Sequence, residues 1–320
     1  LQFGKDFPVH LVQPDCHSPT LPFLGTSFRV AAISEQTSLS ARTSSPELEK
    51  YPIFCKRKNR NPPMTDVPVF DAPAAAVTFV GAGPGAAAHL TLGAFRAIQS
   101  ADVVIHDRLV GDEVLALIPA HVRRIDVGKE GFGPSTAQGQ INAILVAEGL
   151  AGARVVRLKG GDCGIFGRLD EEIDALEAAG LSFAILPGLT AASVAAASIG
   201  QSLTKRGRNG SLRIITGHDM HGFAEQDWRG LARPGEVAAI YMGKKSARFI
   251  QGRLMMHGAL PDTPVTIVEN VSRPDMQIVA ATLATLAQAV AQADGPAVLL
   301  YGLEPRRARV AMTDLQEALA

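Results

Sequence analysis

The sequence predicts an α/β protein: two α/β domains, the first on a mainly parallel sheet, the second on a mixed sheet, with a cleft between them. Three observations carry this expectation. The chain has 320 residues, and at roughly 150 residues per domain that length accommodates about two cores. From Val77 onward, short apolar runs alternate with helix-like stretches, the pattern of a parallel sheet covered on both faces. Towards the end, strand-like runs follow one another closely between residues 278 and 302, which suggests a mixed sheet.

Taken in order, the strand candidates are Val77–Val80, Val103–Ile105, Arg154–Leu158, Phe183–Leu186, Leu212–Ile215, Val237–Tyr241, Val265–Val268, Ile278–Ala280 and Ala297–Leu300. Each is a run of strand length rich in β-branched or other apolar residues. Helix-like stretches between them include Leu90–Gln99, Ala137–Leu150, Glu171–Ala179 and Ala191–Ser198. The expected domains are 76–188 and 189–312, meeting near Pro187–Gln201. Ahead of them, residues 1–63 hold eight of the 20 prolines but only two of the 31 glycines, with no apolar period of 2 or 3.6. They lack the ordered charged, apolar and small-residue zones of a signal peptide. A leader with Met64 as the natural start is the preferred reading and a regulatory tail the alternative; disorder is expected up to about residue 75.

Composition excludes several classes. Lys+Arg and Asp+Glu both total 31, and a protein that coats nucleic acid would carry a basic excess. That neutrality is a cancellation, +3 over residues 1–63 against −3 over the remainder. Cys16, Cys55 and Cys163 form no CxxC pair, so neither a disulfide framework nor a metal site is predicted. No run of about 18 apolar residues exists to span a bilayer. The expectation is a soluble chain of a reducing compartment, the cytoplasm.

The first strand runs into Gly81-Ala-Gly-Pro-Gly85. Gly81, Gly83 and Ala86 fit G-x-G-x-x-A, and Asp107 ends a following strand near the spacing of a dinucleotide fingerprint. Pro84 argues the other way, because it has no N–H for a pyrophosphate where such donors are wanted. Taken alone, the loop leaves a nucleotide-like ligand, an NAD-dependent dehydrogenase included, and plain strand–turn–helix packing both open.

Nine motifs then arrive in one order: GAGPG (81–85), VVIHDRLV (103–110), VGK (127–129), RLKGGD (157–162), IFGR (165–168), PGLTAAS (187–193), TGH (216–218), YMG (241–243) and IVEN (267–270). Over about Val77 to Leu303 this series resembles the tetrapyrrole methylase family, and within it the branch that acts on uroporphyrinogen III. The resemblance implies two α/β domains, S-adenosyl-L-methionine held in the cleft, a homodimer, and transfer of two methyl groups to uroporphyrinogen III to give precorrin-2 for sirohaem or cobalamin. Carried over by motif, the cofactor positions are Pro84, Gly160, Gly161, Asp162, Ile165, Thr190, Ala191, Met242 and Val271, with Asp107 as proton acceptor and Lys129 as proton donor.

An octacarboxylate substrate calls for local cations even in a neutral protein. Arg108, Arg168, Lys205 and Arg206 are the candidates. Each assignment has a plainer rival: Asp162 as the cap of a turn, Asp107-Arg108 as a surface ion pair, Met242 as core filling, and 205–208 as a solvated loop. The chain also departs from the family's pattern. Ala86-Ala87-Ala88 follows the glycine loop, Cys163-Gly164 follows GGD, Leu169-Asp170 replaces a glycine pair, and Lys205 stands where a histidine is usual. Cys163 is expected to be a packing residue.

Overall fold

The computed structural model describes residues 75–128, 136–220 and 222–306. All belong to one compact unit, Val67–Ala320; the other, Leu1–Asp66, lies wholly outside the described residues, as do the expected disorder before residue 75 and Lys129.

The first layer is a five-stranded sheet of β1 (Val77–Gly81), β2 (Val103–His106), β3 (Arg123–Asp126), β4 (Val155–Lys159) and β5 (Phe183–Leu186). Its order is β3-β2-β4-β1-β5 and every pairing is parallel. β1, β2 and β4 are buried along their whole length, which is why they read as unbroken apolar runs. Successive side chains serve two cores. Val80, Val104, Val156 and Leu158 face α1 (Leu92–Ser100) and α2 (Asp112–Ala116). Val77, Phe79, Val103, Ile105 and Val155 face α3 (Gln138–Leu150) and α4 (Leu169–Ala178). α1 begins two residues later than its apolar pattern predicts, because Thr91 stops it: the Thr91 hydroxyl accepts from the Ala94 N–H at 3.1 Å, an N-cap.

After α5 (Ala191–Ser198) comes a second layer built from β6 (Arg213–Thr216), β9 (Ala238–Tyr241), β10 (Pro264–Glu269), β11 (Gln277–Thr282) and β12 (Ala297–Tyr301). The order is β11-β10-β12-β9-β6, with β6–β9 parallel and the other pairs antiparallel, so the sheet is mixed. A short ribbon, β7 (His218–Asp219) with β8 (Gly222–Phe223), stands apart. Leu299 and Tyr301 of β12 point to α6 (Trp228–Leu231), α7 (Ala247–Met256) and α8 (Leu286–Val290), while Val298 and Leu300 point to α5. None of the described helices is long and apolar enough to cross a membrane.

The topology fixes where a ligand can sit. The chain leaves β1 towards β2 and leaves β4 towards β5, in opposite directions along the sheet. Between two such strands a crevice opens at their carboxyl ends. Those ends carry the GAGPG and KGGD loops.

Candidate active site

The two loops are joined main chain to main chain. Gly83 N–H donates to Gly161 C=O at 3.1 Å and Gly161 N–H donates to Gly83 C=O at 2.7 Å. Gly161 adopts φ +73°, and a Cβ there would meet nothing within 4 Å, so glycine serves both the left-handed backbone and the open space above it. Gly188, from the loop after β5, packs below: a Cβ on it would lie 2.4 Å from Gly161 C=O and 2.7 Å from the Gly81 carbonyl carbon. The floor of the crevice is therefore backbone in close contact.

Above it lies a cleft of about 360 Å³, the size of a small-molecule site. Pro84, Gly160, Gly161, Asp162, Ile165, Thr190, Ala191, Met242 and Val271 all line it, as do Asp107 and Arg168. Arg108 is exposed beside it, and Lys205 and Arg206 stand on an exposed turn away from its walls. Asn209 explains that turn: its side chain accepts from Lys205 N–H at 3.1 Å and donates to the Leu203 and Ser211 carbonyls.

Asp162 does cap a turn, accepting from Gly164 N–H on one oxygen and Gly188 N–H on the other, both at 2.9 Å. It thereby ties the loops after β4 and β5 together. Thr190 is the N-cap residue of α5, yet its hydroxyl is paired with the Tyr241 hydroxyl. That Tyr241 oxygen accepts from the Ala192 N–H at 2.9 Å, so the second sheet closes the helix end at the cleft. Burial raises the Tyr241 pKa, which keeps the phenol protonated. Met242 is half exposed at 51% and lies at the mouth rather than in a core. Cys163 is buried, its thiol directed at Leu186 C=O at 3.6 Å, and burial pushes its pKa up; it packs, as expected.

Backbone strain gathers here too. Among the described residues five non-glycine residues have positive φ: Phe166, Arg168, Met242, Asn270 and Ser272. The first three line the cleft and the last two flank Val271, which also lines it. Each such residue costs on the order of 1–3 kcal/mol and persists where surroundings hold it, most often at functional sites.

Several lining residues were not assigned from sequence. Arg157 and Lys159 belong to the RLKGGD motif but alternate with apolar residues on a fully buried strand. Their side chains are 3% and 4% exposed and both reach Glu172 of α4, which is 1% exposed. The available signal was the parity: two cations at i and i+2 in VVRLK, and a Glu within the Leu169–Ile173–Leu176 stripe. Burial, then the neighbouring Arg157, lowers the Lys159 pKa, and Glu172 opposes this. Arg168, by contrast, is tied to Glu171 at 2.8 and 2.5 Å on the exposed side. Arg273 reaches across from the second sheet's loops to donate to Leu109 C=O at 3.0 Å.

A backbone-floored crevice at the switch point of one α/β sheet, walled by a second mixed sheet, defines a small-molecule site of a two-sheet α/β protein. The chain belongs to the Tetrapyrrole (Corrin/Porphyrin) Methylases, whose family model matches residues 76–287. It is 50% identical over 227 residues to a uroporphyrinogen-III C-methyltransferase of Paracoccus denitrificans, covering 70% of this chain and 79% of that protein. It is 45% identical to a siroheme synthase of Edwardsiella ictaluri, covering 72% of this chain but only 50% of that longer protein. Its fold matches the uroporphyrin-III C-methyl transferase of Thermus thermophilus, a crystal structure described as complexed with S-adenyl homocysteine. That match has a TM-score of 0.61 at 35% identity, and covers 71% of this chain and 91% of the other.

Proposed function

We propose that this chain is an S-adenosyl-L-methionine-dependent C-methyltransferase that adds two methyl groups to uroporphyrinogen III, giving precorrin-2. The observation that carries this reading is that nine cofactor positions, taken from six separate motifs, line one cleft. The cleft fits the donor on its own evidence: main chain approaches closely on the floor, and the space over Gly161 is open. Pro84, Gly160, Gly161, Asp162, Ile165, Thr190, Ala191, Met242 and Val271 are the residues that would hold it. When bound, S-adenosylmethionine supplies an electrophilic methyl on a sulfonium.

The protein's own work is positioning and proton handling. Gly160 and Gly161 let the floor approach a ligand closely, while Ile165, Met242 and Val271 give an apolar wall that excludes water from the methyl's path. A nucleophilic pyrrole carbon then gains a methyl, and the methylated macrocycle must lose a proton. Asp107 is the acceptor we assign to that step; it lines the cleft, where a general base must stand. Lys129 is assigned as donor by its motif. Arg168 is assigned to substrate carboxylates, with Arg108 beside it at the mouth; Lys205 and Arg206 are assigned to carboxylates that extend beyond the cleft. A homodimer, a cytoplasmic location, a leader or extension over 1–75 and domains at 76–188 and 189–312 complete the proposal.

The test is incubation of the chain with uroporphyrinogen III and methyl-labelled S-adenosylmethionine. Two labelled methyls per macrocycle are expected. No transfer, with reduction of NAD instead, overturns the reading.

A further inference from the structure

The cleft contains an ionic cluster to which the reaction above gives no role. Arg157 and Lys159 project from the central strand β4 onto its α3/α4 face, among Phe79, Ile105, Leu145 and Leu176. Glu172 accepts from Arg157 Nη2 at 3.1 Å, from Arg157 Nε at 3.2 Å and from Lys159 Nζ at 2.8 Å. Arg157 Nη1 donates to Leu158 C=O at 3.3 Å. These bonds hold the guanidinium on three of its nitrogens. Its Nη2 stands 3.5 Å from Asp107 Oδ2 at the edge of the cleft. The other carboxylate oxygen, Asp107 Oδ1, is buried with no hydrogen-bond partner.

Two facts single this arrangement out. The first is charge: two buried cations meet Glu172 alone inside the layer, and Asp107 is the second anion within ion-pair reach. The second is cost. A buried ion pair is commonly no more stable than apolar residues of the same volume, and the surrounding face is already apolar. Stability alone gives no reason to keep arginine at the centre of this sheet.

We propose that Arg157, locked by Glu172, is the positioning residue for Asp107: it pairs with Oδ2, the oxygen at the edge of the cleft, and so sets the direction in which the carboxylate meets the substrate, while Oδ1 stays buried. The proposal rests on the reading of Asp107 as proton acceptor. An unheld carboxylate samples several χ1/χ2 rotamers, whereas one ion-paired with a guanidinium that Glu172 holds is biased towards one orientation.

A double-mutant cycle in the full chain tests it, with Arg157→Gln, Asp107→Asn and the pair, read by single-turnover methyl transfer to uroporphyrinogen III and by calorimetric binding of S-adenosylhomocysteine. Arg157→Gln is expected to lower the methyl-transfer rate about 10²-fold, the usual effect of displacing a reacting group by about 1 Å. The product's affinity should stay within about threefold, and the same change on Asp107→Asn should cost less than about threefold, because the two residues act as one unit. An equal loss in both backgrounds makes the role structural and overturns the proposal. So does a wild-type rate in Arg157→Gln when Asp107→Asn is inactive. Wild-type activity in Asp107→Asn instead removes Asp107 from the reaction, and the positioning role with it. If Arg157→Gln does not fold, Arg157→Lys keeps the charge without the planar fork and enters the same cycle with the same expected pattern.

Discussion

β4 and β12 each lie third of five in their sheets, yet their chemistry is opposite. β4 reads Val-Val-Arg-Leu-Lys, with both cations buried against α3 and α4. β12 reads Ala-Val-Leu-Leu-Tyr, and its Val298, Leu299 and Leu300 meet only apolar cores. The carboxyl end of β4 opens into the cleft, whereas it is the start of β12, at Ala297 and Val298, that reaches it. The central strand of one sheet brings ionised groups to the site and that of the other brings apolar side chains, the second half's Arg273 coming from a loop. The difference teaches that charge in the middle of a sheet marks the end at which chemistry happens, while an apolar central strand marks a layer that supports it.

The largest expected effect on ligand binding tests the floor on the ionic side. Gly188→Ala places a Cβ 2.4 Å from Gly161 C=O with backbone on both sides, so no side chain can yield. Loss of measurable S-adenosylhomocysteine binding is expected in calorimetry, together with destabilisation of roughly 1–3 kcal/mol or more in a urea titration. Wild-type affinity in this variant would mean that the floor is not where the ligand rests.

Next comes a direct contrast of the central strands. Glu172→Ala strands two buried cations and should cost roughly 3–5 kcal/mol, about as much as the roughly 2–5 kcal/mol expected for the cavity left by Leu299→Ala. The two should then diverge on repair. Replacing Arg157, Lys159 and Glu172 together by Met, Met and Leu should restore unfolding stability while methyl transfer stays lost. If the triple replacement stays as unstable as Glu172→Ala, the cluster is a structural device and the contrast fails.

The smallest effect lies at an exposed pair. Arg154 holds Asp102 by two side-chain hydrogen bonds, at 2.7 and 3.0 Å, and by its backbone N–H at 2.8 Å, lowering the Asp102 pKa from 3.8 to about 2. Because the folded value is the lower one, the contribution is complete above the ordinary carboxylate value and fades as pH falls through about 2, following proton linkage. Asp102→Asn should therefore be slightly less stable than wild type at neutral pH, with the difference closing in acid. Thermal melts over that range check it. A constant gap at all pH values would assign the effect to packing.

Much of this organisation was legible in the sequence. All nine predicted strand runs are present: the six inner strands advertise themselves as buried apolar runs, and the edge strands β5, β6 and β11 still carry adjacent apolar residues in Phe183–Leu186, Ile214–Ile215 and Ile278–Val279. β3 escaped because it is an edge strand with Ile125 as its one apolar residue and most of its length exposed. α6 and α8, of four and five residues, are too short for a 3.6-residue period to register. In the cleft, motif order located the floor and the loops around it, since those depend on glycine and on strand ends. Partnerships did not show. Arg157 and Glu172 are separated by 15 residues and meet only because α4 folds back over β4. Lys205 and Arg206 read as a cationic cluster, but a turn organised by Asn209 carries them off the cleft walls.

The stitch between Gly83 and Gly161 has a consequence for how such a protein can change. A floor drawn in main chain cannot be edited one side chain at a time, since every substitution there meets backbone or forbids the required φ. Variation is confined to the walls: Met242, Ile165, Val271 and the ionic cluster beside Asp107. A lineage of such proteins can therefore explore new acceptors through its walls and inherit the donor's seat unaltered. Selection for a bulkier alkyl donor should likewise recover wall substitutions and leave the glycines as they are.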